Sequence, residues 1–338
     1  MNYKESKDIL DKIKKAKKIL LSCHKSPDPD SIASNLAMYQ VLTGMKKLID
    51  VISPDTVHSA YNFVPYFDKI IKVDITKFDY SDYDLFIALD SSSYDQLVGI
   101  KDLKMPNISM VTIDHHSTNE KYGEINLLEV TSSTCEVLYK VFHDWGIKIT
   151  KNLATTLLTG IYADSVSFQT DKTYSSTFIV SGELVKLGAN TKDIILNLFH
   201  SNEYKLLKFW GEMLKNMNID SEYRFVWTAV PYDKFLEFGK PGEAKSLAAS
   251  VIFRTVKNTD FGIVIVEQRP NVLNMSLRSR TNFDVSKIAQ EFGGSGHKAS
   301  AGAWFDFENF DEAVEKVLVT ARKYAKEYIE ESSNKKEL

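Results

Sequence analysis

Cysteine is almost absent: the 338 residues contain two, Cys23 and Cys135. Two thiols cannot build a disulfide framework, and no CxxC spacing offers a zinc site. They read as two small buried residues in a reducing compartment. Long apolar runs are also missing. None approaches the ~20 residues a membrane span needs. The N-terminal stretch MNYKESKDILDKIKKAKKILL is charged throughout and lacks the apolar centre of a signal peptide. The expectation is a cytoplasmic protein with no membrane partner. Nor is there an excess of one charge: 42 Lys and Arg stand against 45 Asp and Glu, a formal net charge of −3. That excludes a global basic field for long duplex nucleic acid. No basic track interleaved with aromatics marks a long single strand either. What charge balance leaves open is a locally basic cleft. Gly/Ser/Pro-rich linkers, internal repeats and low-complexity tracts are absent. The terminal KKEL reads as a solvated end, not a retention signal.

What is present is ordinary globular composition, 43% hydrophobic, in a chain long enough for two cores. The first half alternates short apolar runs with helical patterns. KKILLSCH (17–24), LIDVISP (48–54), KIIKVD (69–74), YDLFIALDSS (83–92) and SMVTIDHH (109–116) are strand candidates. Several are apolar on both faces, as a buried parallel sheet requires. SIASNLAMYQVLTG (31–44) has helical spacing and a terminal glycine. This alternation predicts an α/β, doubly wound, mostly parallel sheet. From 132 to about 218 the pattern turns helical. The final third is smaller. FVWTAVPY (225–232) reads as a strand and AKSLAASVIFRTV (244–256) as a helix. FGIVIVEQ (261–268) and VLNMSLRSR (272–280) flank Arg269-Pro270-Asn271 as a hairpin. VSKIAQEFGG (285–294) reads as a helix stopped by glycine, and a strand and a long helix follow. The expected domains are 1–200, a connecting helix over 201–220, a smaller α/β domain over 221–330, and a tail over 331–338.

Metal-type ligands recur where elements end. His24, Asp28 and Asp30 follow the first strand in HKSPDPDSIAS. Asp90 follows strand 83–89. Asp114, His115 and His116 follow strand 109–113. Asp164 ends helix 151–163 in GIYADSVSF. Ligands of open α/β sheets gather at the carboxyl ends of strands. Each acid alone reads as a turn former or cap; Asp28 and Asp30 suit the cap of a helix. Together, so many acids and histidines at one edge exceed what capping needs. Carboxylates and imidazoles without thiolates suit Mn²⁺ or another hard-to-borderline divalent ion. Two such ions ~3.5–4 Å apart serve in-line phosphoryl displacement. DPDSI alone also resembles the DxDx[T/V] signature of haloacid-dehalogenase phosphatases. There the first acid directly ends a strand; here His-Lys-Ser-Pro intervenes, and DHH is left unexplained.

The four ordered motifs HKSPDPDSIAS, ALDSS, IDHH and GIYADSVSF resemble those of the DHH phosphoesterase superfamily. SLRSR (276–280) and GGSGHKASAG (293–302) resemble the elements of its DHHA1 partner domain. The resemblance covers about residues 17–310. It implies a DHH catalytic domain joined to a DHHA1 substrate domain, with the active site in the interdomain cleft. It implies two divalent ions, Mn²⁺ first, with Mg²⁺ and Co²⁺ as alternatives. His24 and Asp28 would hold one ion; Asp30, His115 and Asp164 the other; Asp90 would bridge both. His116 would face the substrate phosphate, and Asp114 would orient the site. Arg278, His297, Gly294 and Gly296 would contact substrate, with Arg280 and Lys298 as further candidates. Pro29 between the two motif acids and Ser295 within the glycine run depart from the common patterns.

Within the superfamily, size and layout resemble the nanoRNase group, which degrades short RNA to mononucleotides and in many cases dephosphorylates pAp. Cyclic and linear dinucleotide phosphodiesterases share the layout and stay open as the alternative. The inorganic pyrophosphatases have different second-domain signatures, and RecJ-type exonucleases are longer. A catalytically silent nucleotide sensor would need a missing ligand, and none is missing. A homodimer is what the resemblance implies. Tyr94, Phe168 and Tyr174 lie near motif residues and are candidate stacking positions. His58, His143 and His200 read as surface or satisfied core histidines.

Overall fold

The computed structural model describes residues 3–242 and 244–334; KKEL (335–338) lies outside them. The chain forms two compact units, Met1–Ser201 and Asn202–Leu338.

The first unit contains α1 (Glu5–Lys15), β1 (Lys18–Ser22), α2 (Pro29–Gly44), β2 (Leu48–Ser53), β3 (Ile70–Lys72), β4 (Leu85–Leu89), α3 (Tyr94–Val98), β5 (Met110–Asp114) and β6 (Ile125–Leu128). It closes with α4 (Thr134–Asp144), α5 (Lys151–Asp164), α6 (Ser175–Lys186) and α7 (Thr191–Phe199). Its six strands are all parallel, in the order β3-β2-β1-β4-β5-β6. The chain starts at the centre, moves out one way, then returns to the other side of β1. The doubly wound expectation therefore holds, and the order reverses between β1 and β4. At such a point the loops after the two strands diverge and leave a crevice.

Side-chain alternation splits the central strands between two layers. Ile19, Leu21, Ile87, Leu89, Val111 and Ile113 face the core built with α1, α2, α4 and α5. Leu20, Phe86, Ala88 and Met110 face a smaller core with Tyr94, Leu97 and Val98 of α3. Burial on both faces is why β1, β4 and β5 read as unbroken apolar runs. The short edge strand β6 (INLL) pairs with β5 and carries no such run, so the sequence pattern does not announce it.

The second unit contains α8 (Tyr204–Lys215), β7 (Asn218–Asp220), β8 (Phe225–Val230), α9 (Tyr232–Glu237), α10 (Ala244–Val251), β9 (Phe261–Arg269), β10 (Val272–Ser279), α11 (Ser286–Gln290), β11 (Ser295–His297), β12 (Ser300–Asp306) and α12 (Phe310–Asn334). Its sheet order is β11-β12-β10-β9-β8-β7, antiparallel except between β8 and β9. Asn271, at φ +61°, turns the β9–β10 hairpin. One face packs Ile263, Met275 and Leu277 with Ile288 of α11 and Val317 of α12. The other packs Val226 and Val264 with Phe209 and Met213 of α8 and Ala248 of α10. Helix α8 is thus part of this unit's core. After α11 ends at Gln290 the chain turns through Gly293, at φ +69°, and the glycine run then becomes an edge strand. A methyl on Gly294 would strike Gly302 and Ala303 of β12, and one on Gly296 would strike Ala301. These two glycines let β11 lie against β12.

No helix among the described residues is long and apolar enough to cross a membrane.

Candidate metal centre

The crevice between β1 and β4 collects the acids and histidines of the first unit. Two trios have ligand atoms within 4.8 Å of one another: His24, Asp28 and Asp90, and Asp30, His115 and Asp164. Asp90 stands between them. Its Oδ2 lies 3.8 Å from His24 Nε2 and its Oδ1 3.5 Å from His115 Nε2.

Backbone groups hold His24, Asp28 and Asp30, and a threonine hydroxyl holds Asp90. His24 Nδ1 bonds the Lys25 carbonyl at 2.8 Å, which turns Nε2 toward Asp28 and Asp90. Asp28 is the N-cap of α2: its Oδ1 accepts the Ser31 N–H at 2.9 Å, with Pro29 in the first helical turn. Asp30 is fully buried and accepts the N–H groups of Thr134 at 2.7 Å and Cys135 at 3.2 Å. Those are free donors of the first turn of α4. Asp90 adopts φ +57°, uncommon for a residue with a side chain, and Thr134 Oγ1 donates to it at 3.0 Å. Asp164 ends α5. After it Val166, Ser167 and Phe168 are all left-handed, at φ +48°, +53° and +67°. For β-branched Val166 that is strained backbone, of the kind that collects at functional sites.

Asp114 ends β5 and is occupied entirely by its neighbours. Its Oδ1 accepts from His115 N–H and from His116 Nδ1, each at 2.8 Å, and its Oδ2 accepts from Asn119 Nδ2 at 2.7 Å. The chain has left the strand at this point. Both imidazoles therefore reach one site, with ring centroids 4.1 Å apart.

His115 decides what the cluster suits. Its ring is buried, and Nδ1 donates to the Thr131 carbonyl at 3.0 Å. Nε2 has no hydrogen-bond partner, although Asp164 Oδ2 is 3.3 Å away and Asp90 Oδ1 3.5 Å. Burial, then the charge of His116, lower the pKa of His115 to about 4, so the ring is neutral. A neutral imidazole with Nδ1–H fixed on a carbonyl and a bare Nε2 among carboxylates is a metal ligand's arrangement. The acids agree. Burial, then neighbouring carboxylates, raise Asp30 and Asp90 well above the usual range and Asp164 to about 7. Divalent cations remove that repulsion, so the residues present fit a metal centre.

In the second unit, Arg278 and Gly296 line one groove with Lys245, Asn274 and Trp304. Gly294, Arg280, His297 and Lys298 are outside that lining, and the last three are exposed. Tyr94 is core, Phe168 stacks on Phe178, and Tyr174 is half exposed. His58 caps a short 3₁₀ turn through Ala60 N–H, His143 packs on Tyr139, and His200 is exposed. Both cysteines are buried and free. Thr134, Asn119 and Lys245 went unread in the sequence. Thr134 hides in the cap signal TSST and Asn119 in a turn, while Lys245 is a lone cation in an apolar helix.

Residues 18–161 match the model of the DHH family, N-terminal domain. The first unit therefore carries a DHH-family N-terminal domain. The bifunctional oligoribonuclease and PAP phosphatase NrnA of Thermus thermophilus is 26% identical over 90% of this chain and 89% of its own. The Bacillus subtilis protein of the same description is 22% identical over 92% and 95%. Among solved structures, an exopolyphosphatase-related protein from Bacteroides fragilis superposes with a TM-score of 0.83 at 23% identity, covering 95% of this chain and 96% of the other. That last likeness concerns the fold alone.

Proposed function

We propose that the chain is a divalent-metal-dependent phosphoesterase that hydrolyses short oligoribonucleotides to mononucleotides and also dephosphorylates pAp. The observation that carries the metal-dependent chemistry is the bare, buried Nε2 of His115 among carboxylates at the strand-order reversal. The choice of substrate follows from similarity to the oligoribonuclease and PAP phosphatase relatives along nearly their whole length. His24 and Asp28 would hold one ion, Asp30, His115 and Asp164 a second, and Asp90, which lies near His24 and His115, would serve as a ligand between the two groups. Mn²⁺ suits this oxygen and imidazole set, which contains no thiolate.

When bound, two such ions supply a hydroxide at neutral pH and neutralise charge on the phosphate. The protein's own groups do the rest. Asp114 holds His116 by Nδ1, leaving Nε2 as the nitrogen free to meet a phosphate oxygen. The Asp114 hydrogen bond, against the opposing effect of burial, raises the pKa of His116, which favours a ring able to donate a proton to that oxygen or to the leaving group. Asn119 and the His115 N–H keep Asp114 in place. The second unit is the DHHA1-type substrate domain, with Arg278 as a phosphate contact.

The test is Mn²⁺-dependent hydrolysis of one panel: di- to pentaribonucleotides, pAp, cyclic di-AMP, cyclic di-GMP, pyrophosphate and a thirty-nucleotide RNA. Rapid release of mononucleotides from the shortest RNAs is expected. Preference for a cyclic dinucleotide, or equal rates on two and thirty nucleotides, overturns the substrate assignment. No turnover with metal bound overturns the enzyme reading.

A further inference from the structure

The start of α4 serves the metal centre directly. The N–H groups of Thr134 and Cys135 hold Asp30, and Thr134 Oγ1 holds Asp90. Just before the helix, the Thr131 carbonyl fixes His115 Nδ1. One acid of the same turn, Glu136, is fully buried yet belongs to neither ligand trio. The run STCE (133–136) has the spacing of a capping box, and Ser133 Oγ accepts the Glu136 N–H at 3.1 Å. The carboxylate reaches further than a cap needs. Its Oε2 accepts from Ser132 Oγ at 2.6 Å and from Thr177 Oγ1 at 2.8 Å, and its Oε1 accepts from Ser176 Oγ at 2.7 Å. Lys140 Nζ stands 3.3 Å from Oε1. Burial opposes the charge, but the hydroxyls of Ser132 and Ser176 outweigh it and lower the Glu136 pKa, so the acceptor is a carboxylate.

These bonds join two segments that reach the centre from different parts of the chain. Ser132 adjoins Thr131, whose carbonyl orients His115. Ser176 and Thr177 lie in the first turn of α6, and the loop before them begins after Asp164. That loop passes through left-handed Val166, Ser167 and Phe168. Its start is held by Ser165 Oγ, which accepts the Phe168 N–H at 3.0 Å, and Phe168 stacks on Phe178 of α6 at 4.8 Å. Its end is held by Thr177 Oγ1, which accepts the Tyr174 N–H at 3.2 Å and donates to Glu136. Strained backbone persists only where its surroundings over-determine it. An apolar side chain would fill the space of Glu136 without the cost of burying a charge. What a carboxylate adds is directed acceptors that hold several hydroxyls at once.

We propose that Glu136 is a positioning residue for the metal centre: its carboxylate locks the Thr131–Ser132 segment to the start of α6 and thereby fixes His115 and Asp164 for the same ion. This role rests on the metal-dependent reading of the centre, and it adds a residue that touches neither ion nor substrate. It is also selective. His24 and Asp28 are held by the Lys25 carbonyl and the Ser31 N–H, which lie outside the Glu136 link.

The test is calorimetric titration of the full metal-free chain with Mn²⁺, beside the visible spectrum of the Co²⁺-loaded protein and urea unfolding in EDTA. Wild type is expected to bind two ions. Glu136→Met weakens one of them about tenfold or more and leaves the other within about threefold. Glu136→Gln, whose amide oxygen still accepts from Ser132 and Thr177, recovers most of that loss. Ser132→Ala cuts the link on the His115 side alone, weakens the same ion and alters the Co²⁺ spectrum; it carries the test if Glu136→Met does not fold. Lower stability in urea with both Mn²⁺ affinities and the Co²⁺ spectrum unchanged makes Glu136 a structural acid and overturns the role, while the metal centre stands. Equal weakening of both ions overturns it too. A wild type that binds no divalent ion overturns the centre and the role together. Selective weakening in a protein that hydrolyses no RNA sinks the proposed activity and leaves the role standing.

Discussion

Asp28 faces His24 with one carboxylate oxygen and the backbone of its own helix with the other. Oδ2 lies 3.6 Å from His24 Nε2, while Oδ1 accepts the Ser31 N–H at 2.9 Å. The residue is a helix cap and a candidate ligand at once, and two substitutions separate the roles. Asp28→Ser keeps a capping oxygen; Asp28→Ala loses it, at about 1 kcal/mol. In EDTA, urea unfolding is expected to find the serine variant near wild type and the alanine variant less stable by about that amount. Both are expected to bind fewer Mn²⁺ ions in a calorimetric titration. Full metal stoichiometry in the serine variant would leave Asp28 a cap alone.

Asp90 contacts both trios, so its loss reaches further. Removing a residue that only orients a metal ligand costs about 10–100-fold in affinity or activity. Asp114→Ala is expected to fall in that range, because Asp114 works through His115 and His116. Asp90→Ala is expected to exceed about 100-fold, since a shared ligand goes. Near-wild-type hydrolysis by Asp90→Ala in Mn²⁺ would refute the shared-ligand assignment.

The candidate ligands were legible in the sequence because they sit at the ends of apolar runs. Asp90 and Asp114 directly follow residues buried on both sheet faces, and such strands announce themselves. The parallel sheet and the β9–β10 hairpin were readable for the same reason. The edge strands β6, β7 and β11 were not: each is three or four residues long and lacks a buried face on both sides. Within the site, Thr134 and the Thr131 carbonyl act through long-range contacts that no local pattern encodes. The glycine run carries a second role that the sequence did not show. Read as a backbone cradle, Gly294 and Gly296 also serve strand packing that only the β11–β12 register reveals.

Gly160 tests how tightly Asp30 is fixed. It lies on α5, and a methyl there would strike Asp30 Oδ1 and the Cys135 side chain. Asp30 cannot swing aside without abandoning two backbone N–H groups. Overpacking of this kind costs about 1–3 kcal/mol. Gly160→Ala is expected to lose that much stability and most Mn²⁺-dependent activity. Gly182→Ala on α6, where a methyl meets nothing, is the control and is expected to gain about 0.5–1 kcal/mol. Equal behaviour of the two variants would remove the steric argument.

Arg278 predicts a kinetic split. A phosphate grip made equally in ground and transition states changes KM and leaves kcat. Arg278→Ala is expected to raise KM for a diribonucleotide about tenfold, with kcat within about threefold. A fall in kcat at constant KM would move Arg278 from gripping substrate to acting on the reacting phosphate.

Metal removal should expose the repulsion within the centre, and the sign follows from two groups. Burial and neighbouring acids raise Asp164 to about 7 in the folded chain, above its unfolded value. Burial opposes protonation of His24, but Asp28 and Asp90 outweigh it and raise His24 to about 9. For both, the folded state holds protons that the unfolded chain has released, so stability falls as pH rises. His115, lowered to about 4, contributes nothing above its unfolded value of about 6.5. Lys245, lowered to about 8, acts in the opposite sense only at higher pH. The window is therefore pH 6.5 to 8. Across it, the melting temperature of the EDTA-treated protein is expected to fall. Saturating Mn²⁺ binds the deprotonated ligands and is expected to raise the melting temperature by more at pH 8 than at 6.5. A metal-induced rise that is the same at both ends, with no decline in EDTA, would mean that these groups do not face one another as charges.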